Sequence, residues 1–433
     1  MTRTSRMAAV LSVLALIATA CTGDETEGEP TGTGTRAPVT ITVWDYYGKA
    51  TPIKPAIDGF EQEYPWITVK YEAIDWDTAL EKFTVVVSGG NPPDAATMDM
   101  TWIPTFASNG LFADLTEISG GQLNGEPIED AYTPGALEAM TFDGQYVTAM
   151  FDFDAYALYY RADQFKKKGI EVPTNWDELR DAAAKLAEDS DGDGKNDKFL
   201  YEISAGDCFH WCQFLFQNGG SILTEDLSAA AFNDQAGVDA MEMYKTLLDD
   251  GNAIYWTDAE GDPMGGVKDE RVGMFQDGPY WMGLLKDGAP ELEGKWSVAP
   301  SPYSAQPGSY LGGTGLSIPV NAEHPQEAWL FIEYMTRLEQ QIGVFTYAGA
   351  APATTAALES PELTEPDPYF GDEAPFPVFL ETMSTATHFP YVKQWNEIDT
   401  IISEMVDAVM LGEQSPQEAL DEAAGKVDEE LAG

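Results

Sequence analysis

The run Asp189-Ser190-Asp191-Gly192-Asp193-Gly194-Lys195-Asn196-Asp197 puts oxygen ligands at loop positions 1, 3, 5 and 9, with glycine at position 6. A hard divalent cation takes that kind of ligand set, with the backbone carbonyl of position 7 added. Asp189, Asp191, Asp193, Lys195 (through its carbonyl) and Asp197 are therefore candidate ligands of a structural calcium ion. Position 12 is Leu200, where a complete loop carries a bidentate Glu, so Glu202 or another segment would have to finish the shell. The competing reading is an acidic, solvated turn. Cys208 and Cys212 flank Phe209-His210-Trp211, and in an oxidising compartment such a pair favours a disulfide. One turn of regular helix between them stands near the outer limit for bridging, so free thiols or a soft-metal site with His210 stay open. Asp152 and Asp154 flank Phe153, where a carboxylate could grip two hydroxyls of a polyol or simply be satisfied locally. Gly312-Gly313-Thr314-Gly315 could bring backbone N–H groups to a ligand oxygen at Gly313 and Thr314, since only glycine permits so close an approach, or could simply form a tight strand entry. G-x-S-x-G, H-E-x-x-H and G-x-x-x-x-G-K-[ST] do not occur, and there are only three histidines.

These residues need elements to position them, and the hydrophobic pattern supplies candidates. Val39-Thr40-Ile41-Thr42-Val43-Trp44 alternates as a strand does, and Ile53, Ile57, Phe60 and Tyr64 recur at helical spacing. A second strand reads Trp66 to Tyr71, a second helix carries Leu80, Phe83 and Val87, and a third strand runs from Asp94 to Met98. Strand, helix, strand, helix, strand implies a parallel sheet with right-handed crossovers. Ligands of such sheets bind beyond the carboxyl ends of the strands, which singles out Tyr46, Tyr47, Asp99 and Trp102. Ala149 to Tyr160 reads as a crossover strand. Further helices are expected from Trp176, over about 236–249, 329–336 and 398–410, and from Pro416.

The chain of 433 residues is long for one domain, and 23 Lys plus Arg against 73 Asp plus Glu give a net charge of −50. Such a surface repels nucleic acid and anionic headgroups. Arg3 and Arg6 precede a 14-residue apolar stretch, Met7 to Ala20, which is too short to span a membrane and reads as a signal peptide over 1–20. Ala18-Thr19-Ala20-Cys21 resembles the lipobox of bacterial lipoproteins, with Ala18 where that motif usually has Leu. The resemblance implies acylation of Cys21. Residues 21–38 are rich in Gly, Thr, Glu and Pro and read as a flexible tether.

From there a series of short motifs runs in order along the mature chain. Ile41-Thr42-Val43-Trp44, Pro93-Asp94, Phe106-Ala107-Ser108-Asn109-Gly110-Leu111 and Leu158-Tyr159-Tyr160-Arg161 come first. Pro173 to Leu179, Phe216 to Leu223, Gly273 to Gly278, Gly312 to Pro319 and Ala328 to Ile332 follow. The series resembles the extracellular solute-binding proteins of ATP-binding-cassette importers, in the carbohydrate-binding branch that includes maltose-binding proteins. The resemblance implies an α/β fold of two lobes, each a mostly parallel sheet flanked by helices, joined by crossover strands. It sets 39–150 plus 310–348 in the N-terminal lobe and 151–309 plus 349–433 in the C-terminal lobe. It also implies that Trp281 and Tyr280, after Gly278-Pro279, reach the solute. The expected function is capture of a carbohydrate, most simply an oligosaccharide, and delivery to permease subunits. The chain is then a monomer, exported and held on the outer face of the cytoplasmic membrane by its lipid alone, with no catalysis and no required cofactor. The alternatives are a receptor for a polyamine or peptide, which shares the architecture, and a secreted glycoside hydrolase, which shares the acidity and aromatic content.

Overall fold

A computed structural model describes residues 36–47, 53–371 and 373–433. The signal peptide, Cys21 and nearly all of the tether lie outside the described residues. Residues Pro38–Gly433 form one compact unit.

Two sheets organise it. In the first, Val39–Asp45 pairs in parallel with Ile67–Ala73 and Ala95–Asp99, as the alternating sequence predicts. Helices Lys54–Glu63 and Trp76–Ser88 make the two crossovers, burying Ile57, Phe60, Phe83 and Val87. In the second, Leu200–Ser204 lies parallel between Ala253–Trp256 and Val272–Asp277. The other pairings are antiparallel, apart from the short Thr387–His388, which lies parallel to Tyr310–Ser317, so the sheets are mixed rather than mostly parallel. Tyr310–Ser317 runs against both Ala95–Asp99 and Ala149–Ala155 in the first. Ala157–Arg161 runs against both Val272–Asp277 and Trp296–Ala299 in the second.

The expected single crossover strand from Ala149 to Tyr160 is two strands, Ala149–Ala155 and Ala157–Arg161, one in each sheet. Tyr156 is the break. Its N–H donates to Ser309 Oγ at 2.7 Å, and the same hydroxyl donates to the Tyr156 carbonyl at 3.1 Å. Ser309 immediately precedes the returning strand Tyr310–Ser317, so the two crossings are tied together at one buried hydroxyl. Ala149–Ala155 belongs to the first sheet along its whole length, and Ala351–Pro352 joins that sheet beside it.

Strand alternation explains how the second sheet is buried on both faces. Tyr159 and Phe275 face a core with Trp296, Phe370 and Phe379, while their neighbours Leu158 and Met274 face one with Trp211, Tyr244 and Ile203. Helices Cys208–Gln217, Gln235–Asp249, Trp395–Met410 and Pro416–Ala432 close that second core. The last begins at Pro416, as read from the sequence, and is opened by a Ser415/Glu418 capping box. Trp176–Leu186 is capped by the Asn175 side chain, which accepts from the Glu178 N–H. No described helix is long and apolar enough to cross a membrane.

Candidate functional site

The parallel strands of both lobes end at one cavity of about 750 Å³, within the range of small-molecule sites. Asp45 ends one strand and hands on Tyr46 and Tyr47, while Asp99 ends another and leads to Trp102. Ser204 and Asp277 do the same in the second lobe. Asp152 and Asp154 come from the crossover, and Gly313 and Thr314 from the returning strand. Tyr46, Tyr47, Asp99, Trp102, Asp154, Tyr280, Trp281, Gly313 and Thr314 all line this cavity.

On the first lobe the polar groups satisfy one another. The Tyr47 hydroxyl donates to Asp152, whose other oxygen accepts from the Thr314 N–H at 2.9 Å. The hydroxyls of Tyr46 and Tyr47 lie 2.5 and 2.7 Å from Thr314 Oγ1. Asp99 accepts from the Thr101 N–H and hydroxyl. Burial pushes Asp152 up to about 7 and Asp99 to about 6, against the opposing pull of these hydrogen bonds. The aromatic groups form a continuous surface. Tyr46 and Tyr47 stack with centroids 5.0 Å apart, Trp102 meets Tyr46 edge-on, and Trp76 stacks on Trp102 at 4.9 Å. Trp76 is 43% exposed at the mouth.

Asp277 is the hub of the second lobe. It accepts from the Gly278 N–H at 2.7 Å, the Tyr280 hydroxyl at 2.6 Å and Trp281 Nε1 at 2.5 Å. His210 sits between Asp207, 2.8 Å from Nδ1, and Asp277, 3.7 Å from Nε2. Burial opposes charge on the imidazole, but the two carboxylates outweigh it and hold its pKa well above the ordinary value. Asp154 bridges the lobes from the crossover. An added Cβ on Gly278 would fall 1.9 Å from Asp154 Oδ1, so only glycine there leaves room for that carboxylate. Burial first, and then Asp277, Asp152 and Asp99, raise Asp154 well above the usual carboxylate range.

The glycine run serves strand contact. An added Cβ on Gly313, at φ 149°, would lie 2.3 Å from the Asp152 carbonyl oxygen, and one on Gly315 would lie 1.9 Å from Thr148 Oγ1. Gly313 still forms cavity wall, and its carbonyl accepts from the Met100 N–H.

The cysteines require a correction: the expected Cys208–Cys212 disulfide is not formed. Both are buried free thiols on one face of the helix Cys208–Gln217. Four residues of regular helix hold the Cα atoms near the bridging limit, and the fully buried helix has no slack to bring them closer. A Cys/His metal site is not formed either, since His210 turns to Asp207 and the cavity. Asp189, Asp191 and Asp193 do converge, with one carboxylate oxygen from each within 4.8 Å of the others, all exposed. Asp197 instead caps Ser190, accepting from its N–H at 2.8 Å and its hydroxyl at 2.7 Å. Leu200 is buried in its strand.

Sequence reasoning missed Trp76, Tyr156, Asp207, His210, Asp277 and Asp399 in the cavity wall. Asp277 had a signal, since it ends a buried strand just before the Gly-Pro-aromatic turn. His210 and Asp399 had none, because helix packing alone brings them to the cleft.

Two α/β lobes joined by crossover strands around an interlobe cavity define a solute-binding protein. Residues 56–369 match the family model described as bacterial extracellular solute-binding protein, and the chain belongs to that family. A protein of Brucella abortus named as a binding protein is 27% identical over 425 residues, 96% of each chain. A solved solute-binding protein of an ABC transporter from Thermotoga lettingae, bound with α-D-tagatose, is 27% identical with a TM-score of 0.79, covering 90% of this chain and 99% of its own. The GacH receptor of Streptomyces glaucescens, solved unliganded and with acarbose, is 26% identical with a TM-score of 0.79, covering 92% and 99%.

Proposed function

We propose that this protein is the receptor of an ABC importer, capturing a carbohydrate between its lobes and presenting it to permease subunits without making or breaking a bond. The observation that carries the reading is the cavity itself, where stacked aromatic rings stand beside hydrogen-bonding carboxylates at the carboxyl ends of both sheets. Aromatic faces suit the C–H face of a pyranose, and carboxylates suit its hydroxyls. The sugars bound by the Thermotoga and Streptomyces proteins support the ligand class. The seven aspartates in the wall favour a polyamine as the second reading.

The test is a thermal-shift and calorimetric panel of mono- and oligosaccharides with spermidine beside them, followed by chromatography for cleavage products. Saturable stabilisation by a sugar left intact supports the receptor. Cleavage would return the hydrolase reading, and stabilisation by spermidine alone the polyamine reading. The lipid on Cys21 belongs to the same proposal: Cys21→Ala should free the protein into the medium, and continued membrane retention would refute the anchor. The acidic loop is proposed to hold a structural calcium on Asp189, Asp191 and Asp193, with Lys195 through its carbonyl and Asp197 as the outer candidates. Chelation should then lower the melting temperature and added calcium restore it.

A further inference from the structure

The cavity wall holds a charge imbalance that a neutral sugar does not require. Asp99, Asp152 and Asp154 face it from the first lobe and the crossover. Asp207, Asp277 and Asp287 face it from the second lobe, and Asp399 is the seventh. Against them stands His210 alone: no Lys or Arg is among the described residues that line the cavity. His210 is held by Asp207 through Nδ1, while its buried Nε2 stands 3.7 Å from Asp277 without a hydrogen bond.

Several side-chain donors of the wall are already committed to its carboxylates. Tyr47 donates to Asp152, Tyr280 and Trp281 to Asp277, and the Ser403 hydroxyl to Asp399. The charge on offer to a ligand is that of carboxylate acceptors. Asp154 shows it most clearly, because its Oδ1 is a buried oxygen with no hydrogen-bond partner. That oxygen lies against Gly278, at the meeting of the lobes. A buried carboxylate oxygen without a donor is costly, and an N–H⁺ from the ligand satisfies it better than a hydroxyl does. The rings of Tyr46, Tyr47 and Trp102 add π faces, which also attract a cation.

We propose that the cleft selects a carbohydrate that carries a protonated amine, an amino sugar or a ring-nitrogen sugar mimic, over its neutral counterpart, with Asp154 as the anchoring carboxylate. This rests on the carbohydrate-receptor reading and narrows it. The raised carboxylates fit: a bound cation draws them back toward ionisation, so uptake of the amine releases protons.

Matched pairs test it on the purified full chain. Cellobiose against chitobiose, and glucose against 1-deoxynojirimycin, differ by little more than the amine, and spermidine serves as the cation without a sugar frame. At pH 7 and low salt the amine of each pair should bind about tenfold or more tightly. Its advantage should shrink in high salt, and Asp154→Asn should bring the affinities of the two members of each pair together. Equal or tighter binding of the neutral member overturns the amine selectivity and leaves the carbohydrate reading standing. No binding by either member of any pair removes the carbohydrate reading together with this one. Spermidine binding more tightly than the amine sugars overturns the proposal in favour of a polyamine. The wild-type comparison stands without the variant, so a misfolded Asp154→Asn chain does not shield the idea.

Discussion

Truncating Trp281 to alanine separates cleft from core in one variant. Trp281 opens the helix Trp281–Gly288, donates Nε1–H to Asp277 and packs on Phe275 with ring centroids 4.7 Å apart. It is only half-buried and forms cavity wall. Removing the ring takes away a stacking face, worth about 1–3 kcal/mol in a bound complex. That is roughly a fivefold to hundredfold weaker dissociation constant. Stability also falls, because part of the ring covers Phe275. A fully buried Trp→Ala costs about 3–5 kcal/mol, so a half-buried ring costs on the order of 2 kcal/mol. Asp277 keeps the Gly278 N–H and the Tyr280 hydroxyl on Oδ1, but Oδ2 loses its hydrogen bond and is left with His210 Nε2 at 3.7 Å, which adds to the loss. In a chain of this size that is a melting decrease of a few degrees. Calorimetric titration with the best sugar of the panel, beside thermal melting of the empty protein, measures both. Unchanged affinity with a much larger melting loss would mean that Trp281 is core and that the solute lies elsewhere in the cavity. Trp281→Phe, which keeps a ring, should recover most of the lost affinity.

Gly278→Ala places a methyl 1.9 Å from Asp154 Oδ1, so the carboxylate must leave its position. Affinity should drop with a modest melting loss, and titration showing wild-type affinity would refute Asp154 as a ligand contact. Thiol titration of denatured, unreduced Cys21→Ala chain should count two free thiols, those of Cys208 and Cys212, whereas none would restore the disulfide. The empty protein should melt higher at pH 5 than at pH 8. Burial raises Asp152 to about 7 and Asp99 to about 6, so the folded state binds more protons than the unfolded one between the ordinary carboxylate range and pH 7, and stability falls as pH rises through that window. The raised His210 acts in the same direction. A flat profile would show these groups to be more solvated than their burial implies.

The first lobe was legible because its period-two strands and period-three-to-four helices lie consecutively from Val39 to Asp99, and one topological rule then points to their carboxyl ends. That rule found Tyr46, Tyr47, Asp99 and Trp102 without any structural information. It could not find Asp207, His210 or Asp399, because their approach depends on how Cys208–Gln217 and Trp395–Met410 pack, and a helix face carries no mark of what it meets. The break at Tyr156 was hidden for a related reason. Ala149 to Tyr160 is mainly apolar on both sides of it, and the hydroxyl of Ser309, a residue far along the chain, marks where one sheet ends and the next begins. The cysteine spacing misled because compartment chemistry argued for a bond that helix geometry opposes.

Closure must come from differential contact, because a ligand that meets the open and closed states equally shifts nothing. Most of the cavity wall cannot supply that difference. Tyr47, Asp152 and Thr314 complete their hydrogen bonds within the first lobe and its crossover, while Asp277, Tyr280 and Trp281 complete theirs within the second. Each cluster is held by hydrogen bonds of its own lobe and does not depend on the other for them. Asp154 differs. It rides on the first sheet's crossover strand, its Oδ1 has no donor, and its carboxylate reaches Gly278 of the second lobe. In the proposed receptor, bringing the lobes together would bury an unmatched carboxylate, a cost that an empty cleft would relieve by opening or by protonation. A ligand donor placed on Asp154 removes that cost only in the closed state. The group that makes closure expensive when the cleft is empty is then the group that makes it favourable when the cleft is filled.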